Sequence, residues 1–281
     1  MIKIKNNISL AQFTTFGIGG TAQFFTTVED SGQLESALKW ARQNQVKVSI
    51  LGGGTNLLIS DKGIKGLVIR LHGTGLEVKD TKVSCFSGLT MQLLVKETTE
   101  LGLSGLEFFA GLPGTVGGAI YKNSHWREHY VSDNLYSVEV YDLFANKKIL
   151  FKKDLDFGYD WSNFQKDSLV ITRLTFDLKH ADKKMINKTA LEVLRMRRNH
   201  PRGKSAGCIF KNVNNQSAGK IIEKAGFSGE RLGDIEISPK HANFFINVGQ
   251  AKASDVYKLI RKVQKKLQLE PEIFFWGDFD E

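Results

Sequence analysis

Apolar positions recur along this chain at two periods, and the switches between them mark out interleaved helices and strands. Leu34, Ala37, Leu38 and Ala41 fall at helical spacing and predict a helix over 33–44. Val46–Leu51 then reads as a strand that runs into glycines, and Ile64–Leu71 as a second buried strand. Met91, Leu94, Val95 and Thr98 predict an amphipathic helix over 90–101, whereas 135–143 and 168–178 alternate as half-buried strands do. Two later stretches, 186–198 and 253–267, predict helices; the second puts Val256, Leu259, Ile260 and Val263 on one stripe. This interleaving is that of an α+β or α/β class. The clearest change of character, a charged stretch followed by a basic helix, lies at 180–204 and predicts a domain boundary there.

Composition narrows the classes. The 281 residues are 41% hydrophobic and 25% charged, ordinary for a globular protein, and long enough for about two cores. No apolar run approaches the roughly 20 residues of a membrane span, and the N-terminus lacks the pattern of a secretory signal. Cys85 and Cys208 stand far apart, with no metal-ligand spacing, so no metal is expected and a cytoplasmic setting is. The net charge of +9 raises nucleic acid as a partner. Lysines are spread along the whole chain, however, with no motif to read bases, so no nucleic-acid partner is expected. A local cluster at Arg195, Arg197, Arg198, Arg202 and Lys204 either attracts phosphate-bearing small molecules or is a solvated helix face.

Three glycine-rich segments carry most of the chemistry. Gly52, Gly53 and Gly54, followed by Thr55 and Asn56, come directly after a predicted strand. Consecutive glycines let the main chain approach a ligand with no Cβ in the way, and successive N–H groups can converge on an anion such as a pyrophosphate. The spacing matches neither a dinucleotide fingerprint nor a P-loop. The second segment holds Gly111, Pro113, Gly114, Thr115, Gly117 and Gly118, and the third spans Gly17–Gly20. A tight turn would account for any one of them; three in one half-chain point to an extended ligand bearing a diphosphate.

With these segments in view, the chain resembles the UDP-N-acetylenolpyruvoylglucosamine reductase (MurB) family, of its shorter type, within the FAD-linked oxidase fold group. The stretches TFGIGG, LGGGTNLLIS and AGLPGTVGGA carry the resemblance. Phe157-Gly158-Tyr159, SAGCIFKN from Ser205, AGKIIEKAG from Ala218, SPKHA from Ser238 and LEPE from Leu269 follow in the family's order. The resemblance implies an α+β fold with a two-lobed FAD-binding domain over 1–184, its lobes about 1–70 and 71–184. A smaller α+β substrate domain over 185–267 and a tail over 268–281 that returns to the active site complete it. It implies non-covalent FAD held by Gly52–Asn56 and by Gly111, Gly114, Thr115, Gly117 and Gly118. NADPH is the implied reductant, a nucleotide sugar the substrate, and a monomer the implied state. The implied reaction converts UDP-N-acetylglucosamine enolpyruvate to UDP-N-acetylmuramate in peptidoglycan precursor synthesis. Cys208 stands at the implied proton donor, Glu272 beside the substrate, and Tyr159, Asn212 and His241 at substrate contacts.

Two departures from the family pattern stand out. An arginine that holds the substrate carboxylate follows the tyrosine in the family, and here that residue is Asp160. A turn of small residues beside the flavin is replaced by Ser124-His125-Trp126-Arg127-Glu128-His129-Tyr130. Arg127 is a candidate to supply the missing cation. Three readings remain open at this point: a working reductase, an FAD protein with an altered substrate, and a binding module that has lost catalysis.

Overall fold

The computed structural model describes residues 2–214 and 216–279, so the last two residues of the expected tail lie outside the described residues. The chain divides into two compact units. One comprises 1–4, 25–53 and 67–198; the other comprises 5–24, 54–66 and 199–281.

The first unit is built on a five-stranded antiparallel sheet, in the order Lys147–Phe151, Leu135–Asp142, Leu169–Asp177, Lys82–Phe86, Leu76–Lys79. The central strand, Leu169–Asp177, pairs Leu174 with Val138 on one side and with Cys85 on the other. Alternation along these strands sends Val138, Val140, Leu174 and Phe176 into a core shared with Met91, Leu94, Val116, Ile120, Ala190 and Val193. Those last residues belong to the helices Met91–Glu100, Val116–Lys122 and Lys183–Arg197. Elsewhere in this unit the helix Ser31–Gln43 starts where Asp30 accepts a hydrogen bond from the Gln33 N–H at 2.8 Å, a side-chain cap of the usual kind. The strand Val48–Leu51 then pairs in parallel with Leu67–Arg70, Val48 opposite Leu67.

In the second unit the strands Arg231–Leu232, Ile235–Ile237 and Phe245–Asn247 form an antiparallel sheet. The helix Ala253–Leu267 buries Val256, Leu259, Ile260 and Val263, the stripe expected from the sequence. Each such side chain contributes about 1.5–3 kcal/mol when fully removed from water. Asp61 fixes the start of this helix, its two carboxylate oxygens accepting from the N–H groups of Ala253 and Ser254 at 2.9 Å each. Phe16, Ile18 and Leu58 share the same core with Phe210, Ile222, Phe245 and Ile273. The tail closes the unit: Phe274–Trp276 pairs in parallel with Leu57–Ile59.

These units differ from the domain limits expected from the sequence. The expected boundary at 184/185 falls at the start of the helix Lys183–Arg197, which buries Ile186, Ala190 and Val193 in the first unit, and the compact division comes after Arg198. Segments 5–24 and 54–66, expected in the first lobe, go with the second unit because Phe16, Ile18 and Leu58 are part of its core.

Candidate active site

In the first unit the two expected cofactor loops lie against each other. A Cβ on Gly53 would fall 2.6 Å from the Gly114 Cα, and one on Gly52 would fall 2.7 Å from the Thr115 Oγ1. The Gly53 approach is to main chain and leaves no room for a side chain, whereas at Gly52 the Thr115 hydroxyl would have to move. The second loop is tied down by its main chain: Met91 N–H donates to the Gly114 carbonyl, Val116 N–H to that of Leu89, and Gly117 N–H to that of Ser87. Thr115 caps the helix Val116–Lys122 by accepting from the Gly118 N–H at 3.3 Å. At the other end Asn123 adopts a left-handed conformation and donates to the Gly158 carbonyl at 2.9 Å. Two buried polar atoms here, Ser87 Oγ beside Gly117 and Asn123 Oδ1, find no hydrogen-bond partner among the described residues. Native proteins rarely leave such atoms unpaired. Bare main chain together with unpaired buried acceptors and hydroxyls suits a polar cofactor, and FAD fits these residues.

Gly111 has a different neighbour. It lies at φ +73°, and a Cβ there would meet the Leu194 Cδ2 at 2.8 Å and the Arg197 Cδ at 3.3 Å. Glycine at this position lets the helix Lys183–Arg197 approach the loop.

The second unit holds two of the three expected catalytic residues, Cys208 and Glu272; the third, Asp160, lies in the first unit. The chain from Ser205 to Asn212 is held between two other segments. On one side Asn243, itself buried, accepts from the N–H groups of Ile209 at 3.2 Å and Phe210 at 2.9 Å, and donates to the Phe210 carbonyl at 2.8 Å. On the other side Glu272 N–H donates to the Ile209 carbonyl at 2.7 Å, and Lys211 N–H to the Glu270 carbonyl. Cys208 and Glu272 are thereby fixed on adjacent segments, Cys208 pairing in an isolated bridge with Phe244. Gly207, just before the cysteine, sits at φ +79° with open space on the side where a Cβ would project. Asn56 joins this arrangement by donating to the Glu272 carbonyl at 3.0 Å, while Gly54 lies at φ +61°, where a Cβ would fall 2.0 Å from the Phe13 carbonyl oxygen. Thr15 N–H donates to the Gly54 carbonyl, so the chain just before Gly17 meets the end of the first glycine loop here. A cavity of about 360 Å³ beside it is lined by Ala11, Gln12, Thr14, Thr15, Gly17 and Lys204.

The remaining expected contacts have structural partners of their own. Asn212 Oδ1 accepts from the Ala218 N–H at 3.0 Å. His241 Nδ1 accepts from the Asn243 N–H at 3.3 Å, and burial lowers the imidazole pKa from its ordinary value. Cys85 is inert: it is fully buried in the first unit, and burial pushes its thiol up to about 12.

Asp160 lies in the first unit at φ +51° and is buried. Its Oδ1 is 3.6 Å from the Lys122 Nζ and 3.7 Å from the His125 Nδ1. Burial lowers the His125 pKa most; Asp160 acts to raise it and Lys122 to lower it. Tyr159 is 40% exposed, its ring 4.8 Å from that of His125. Arg127, the cation suggested by the sequence, instead turns toward the helix, its Nη2 3.5 Å from the Met196 Sδ. The cation set against Asp160 is therefore Lys122, with the His125 ring beside it, because the helix Val116–Lys122 ends where the hairpin 125–130 begins.

Three positioning residues escaped the sequence reading. Asn243 sits next to a motif residue, yet a lone asparagine beside phenylalanines gives no sign of being a clamp. Lys122 reads as a solvated helix end. Trp126 stands in the divergent loop, with the Arg197 guanidinium 4.3 Å from its ring centre.

Comparison with known proteins accounts for nearly the whole chain. A model of the UDP-N-acetylenolpyruvoylglucosamine reductase C-terminal domain matches residues 199–275, and one of an FAD binding domain matches 22–146. The UDP-N-acetylenolpyruvoylglucosamine reductase of Thermus thermophilus is 40% identical over 269 residues, 96% of this chain and 98% of that one. The protein of the same name from Prochlorococcus marinus is 35% identical over 95% of this chain and 93% of its own. The crystal structure of the Thermus caldophilus reductase superposes with a TM-score of 0.88 at 38% identity, covering 99% of this chain and 100% of that one.

Proposed function

The chain belongs to the UDP-N-acetylenolpyruvoylglucosamine reductase family, and from that premise we propose which of its residues carry the reaction. It is an FAD-dependent oxidoreductase of peptidoglycan synthesis, with NADPH as reductant and a nucleotide-linked enolpyruvyl sugar as substrate. Bound FAD would supply hydride transfer, from NADPH to the methylene carbon of the enolpyruvyl group. Gly52, Gly53, Gly114, Thr115, Gly117 and Gly118 line the cofactor's site with main chain, with Gly54, Thr55 and Asn56 completing the grip on its diphosphate. Gly111 belongs to the same loop and serves by admitting the helix beside it.

Hydride addition leaves a pair of electrons on the carbon that carries the carboxylate, so an acid must protonate that carbon as the charge develops. Cys208 is that acid. A thiol of ordinary pKa near 8.5 is protonated at neutral pH and gives up its proton far more readily than a hydroxyl. The observation that carries this assignment is the clamp on its segment: Asn243 holds the Ile209 and Phe210 N–H groups, and Glu272 N–H holds the Ile209 carbonyl. A rigid segment keeps the thiol in place through turnover. Glu272 faces the same chemistry and helps to stabilise or protonate the intermediate, while Tyr159, Asn212 and His241 contact the substrate. Asp160 is no carboxylate binder. Its charge is offset by Lys122, so it puts no uncompensated negative charge before an anionic substrate.

We take the protein to act as a cytoplasmic monomer with non-covalent FAD; none of its described helices is long and apolar enough to cross a membrane. Replacement of the acid is the direct test. Cys208→Ala should lower kcat by about 10²–10⁴-fold with flavin still bound and still reduced by NADPH, and Cys208→Ser should retain part of the rate. Unchanged turnover in Cys208→Ala would remove the assignment.

A further inference from the structure

Asp160 sits at the corner of a short hairpin, where Gly158 pairs with Trp161, and it adopts φ +51°. A carboxylate at such a corner ordinarily reaches water. This one is 3% exposed, and its Oδ2 finds no hydrogen-bond partner among the described residues. Its Oδ1 faces His125 Nδ1, which is buried and also makes no hydrogen bond there. The rest of the imidazole is more open. The His125 side chain is 24% exposed, and Nε2, unlike Nδ1, is neither buried nor hydrogen-bonded to a described residue. The rings of Tyr159 and Tyr130 lie 4.8 Å and 5.4 Å from that of His125. With Asp160 and with Lys122, whose Nζ is 3.6 Å from the same carboxylate, they are the titratable groups around this histidine.

The carboxylate decides which nitrogen of a neutral imidazole carries the proton. A lone pair on Nδ1 would face negative charge, whereas an N–H there is attracted to it, so the lone pair is left on Nε2. We propose that His125 is a specificity residue for the nucleotide sugar: Nε2 accepts a hydrogen bond from one of its hydroxyl or amide N–H groups beside Tyr159, and Asp160 is the positioning residue that keeps the proton on Nδ1. The electrostatics agree. Burial lowers the His125 pKa most, Asp160 acts to raise it without prevailing, and Lys122 lowers it further. The ring is therefore mostly neutral at pH 7 and offers an acceptor. An imidazolium has no lone pair, so acid abolishes the contact. The inference rests on the placing of Tyr159 at the substrate and is independent of the roles given to Cys208 and Glu272.

The test measures kcat and both KM values of the whole FAD-loaded enzyme between about pH 5 and pH 8, where a histidine titrates. In the wild type the KM of the enolpyruvyl nucleotide should rise in acid by about three- to tenfold, the loss of one hydrogen bond. His125→Ala should show that raised KM already at about pH 8, with kcat and the KM of NADPH within twofold. His125→Gln, whose amide oxygen accepts without titrating, should regain most of the affinity and lose the acid rise. Asp160→Asn should carry the rise to lower pH, because the carboxylate favours the imidazolium; a packing role would not move that midpoint. A nucleotide KM within twofold of wild type in His125→Ala would overturn the proposal, as would an acid rise undiminished in His125→Gln. So would a KM that falls in acid and loses this fall in His125→Gln, which marks an imidazolium holding an anion. Tyr159→Ala separates the inference from the reading beneath it. An unchanged KM there removes both, whereas a raised KM there with His125→Ala inert removes the proposal alone.

Discussion

Two neighbouring regions of the first unit solve opposite problems. The glycine loops are closed on each other: Gly52 and Gly53 abut Gly114 and Thr115, and the loop's main chain is tied to 87–91. The region formed by 123–130, 157–163 and the end of the helix Lys183–Arg197 is instead polar and incompletely paired. Asn123 Oδ1, His125 Nδ1, Asp160 Oδ2, Asn163 Oδ1 and two nitrogens of Arg197 are buried there with no hydrogen-bond partner among the described residues. The contrast separates shape from recognition. Loops packed this closely are specified by what they cannot carry, a Cβ, whereas the polar groups of the second region keep bonding capacity to spare.

The largest effect that would break this contrast is steric. Gly53→Ala places a methyl group 2.6 Å from the Gly114 Cα, and overpacking of this kind costs about 1–3 kcal/mol. Taken from the cofactor-binding geometry, that amounts to about a 10–100-fold weaker FAD affinity, measurable by flavin fluorescence. A variant that purifies with its full complement of flavin would show that the loops do not need their close approach.

Next comes the buried charge. Asp160→Asn leaves Lys122 without its carboxylate, and breaking a buried pair costs about 3–5 kcal/mol; the low end is expected because Lys122 retains some solvent contact, its side chain being 14% exposed. Urea unfolding checks it. The double change Asp160→Asn with Lys122→Met should recover more than half of the loss, and failure of that rescue would mean that Asp160 acts through something other than that cation.

The acid dependence of stability is a smaller effect. Burial holds the His125 pKa below its ordinary value of 6.5, so between the folded and unfolded values the unfolded chain binds more protons. Stability from this group is therefore complete above about pH 6.5 and declines as pH falls through the folded value. His125→Gln should flatten that slope in a series of urea midpoints, leaving the similar contribution of His241 in the second unit. An unaltered slope would place the titration elsewhere. Smallest is Ser87→Ala. Removing an unpaired buried hydroxyl should leave the stability of the flavin-free protein within about 0.5 kcal/mol, and any larger loss that appears only with FAD bound would assign the hydroxyl to the cofactor.

The same division explains what the sequence revealed. The glycine loops were legible because a steric requirement excludes every other residue, leaving a mark in composition alone. The stripe of Val256, Leu259, Ile260 and Val263 was legible for a related reason: helical period and burial coincide. The partition of the chain was not legible, since Phe16 and Leu58 look like any buried residues and only tertiary packing puts them with 199–281. Nor was the pairing of Asp160, because Lys122 meets it through a turn whose geometry depends on Asn123 in the left-handed region. Arg197 had a signal that counting basic residues obscured. Its spacing from Val193 continues an apolar stripe, and a charge on such a stripe is worth following.

The central claim is that FAD on the glycine loops passes reducing equivalents from NADPH to an enolpyruvyl nucleotide. Anaerobic absorbance spectroscopy of the purified holoenzyme tests it most directly. One equivalent of NADPH should bleach the oxidised-flavin band, and one equivalent of UDP-N-acetylglucosamine enolpyruvate should then restore it within the time of a single turnover. A band that bleaches and stays bleached after the nucleotide is added would contradict the account.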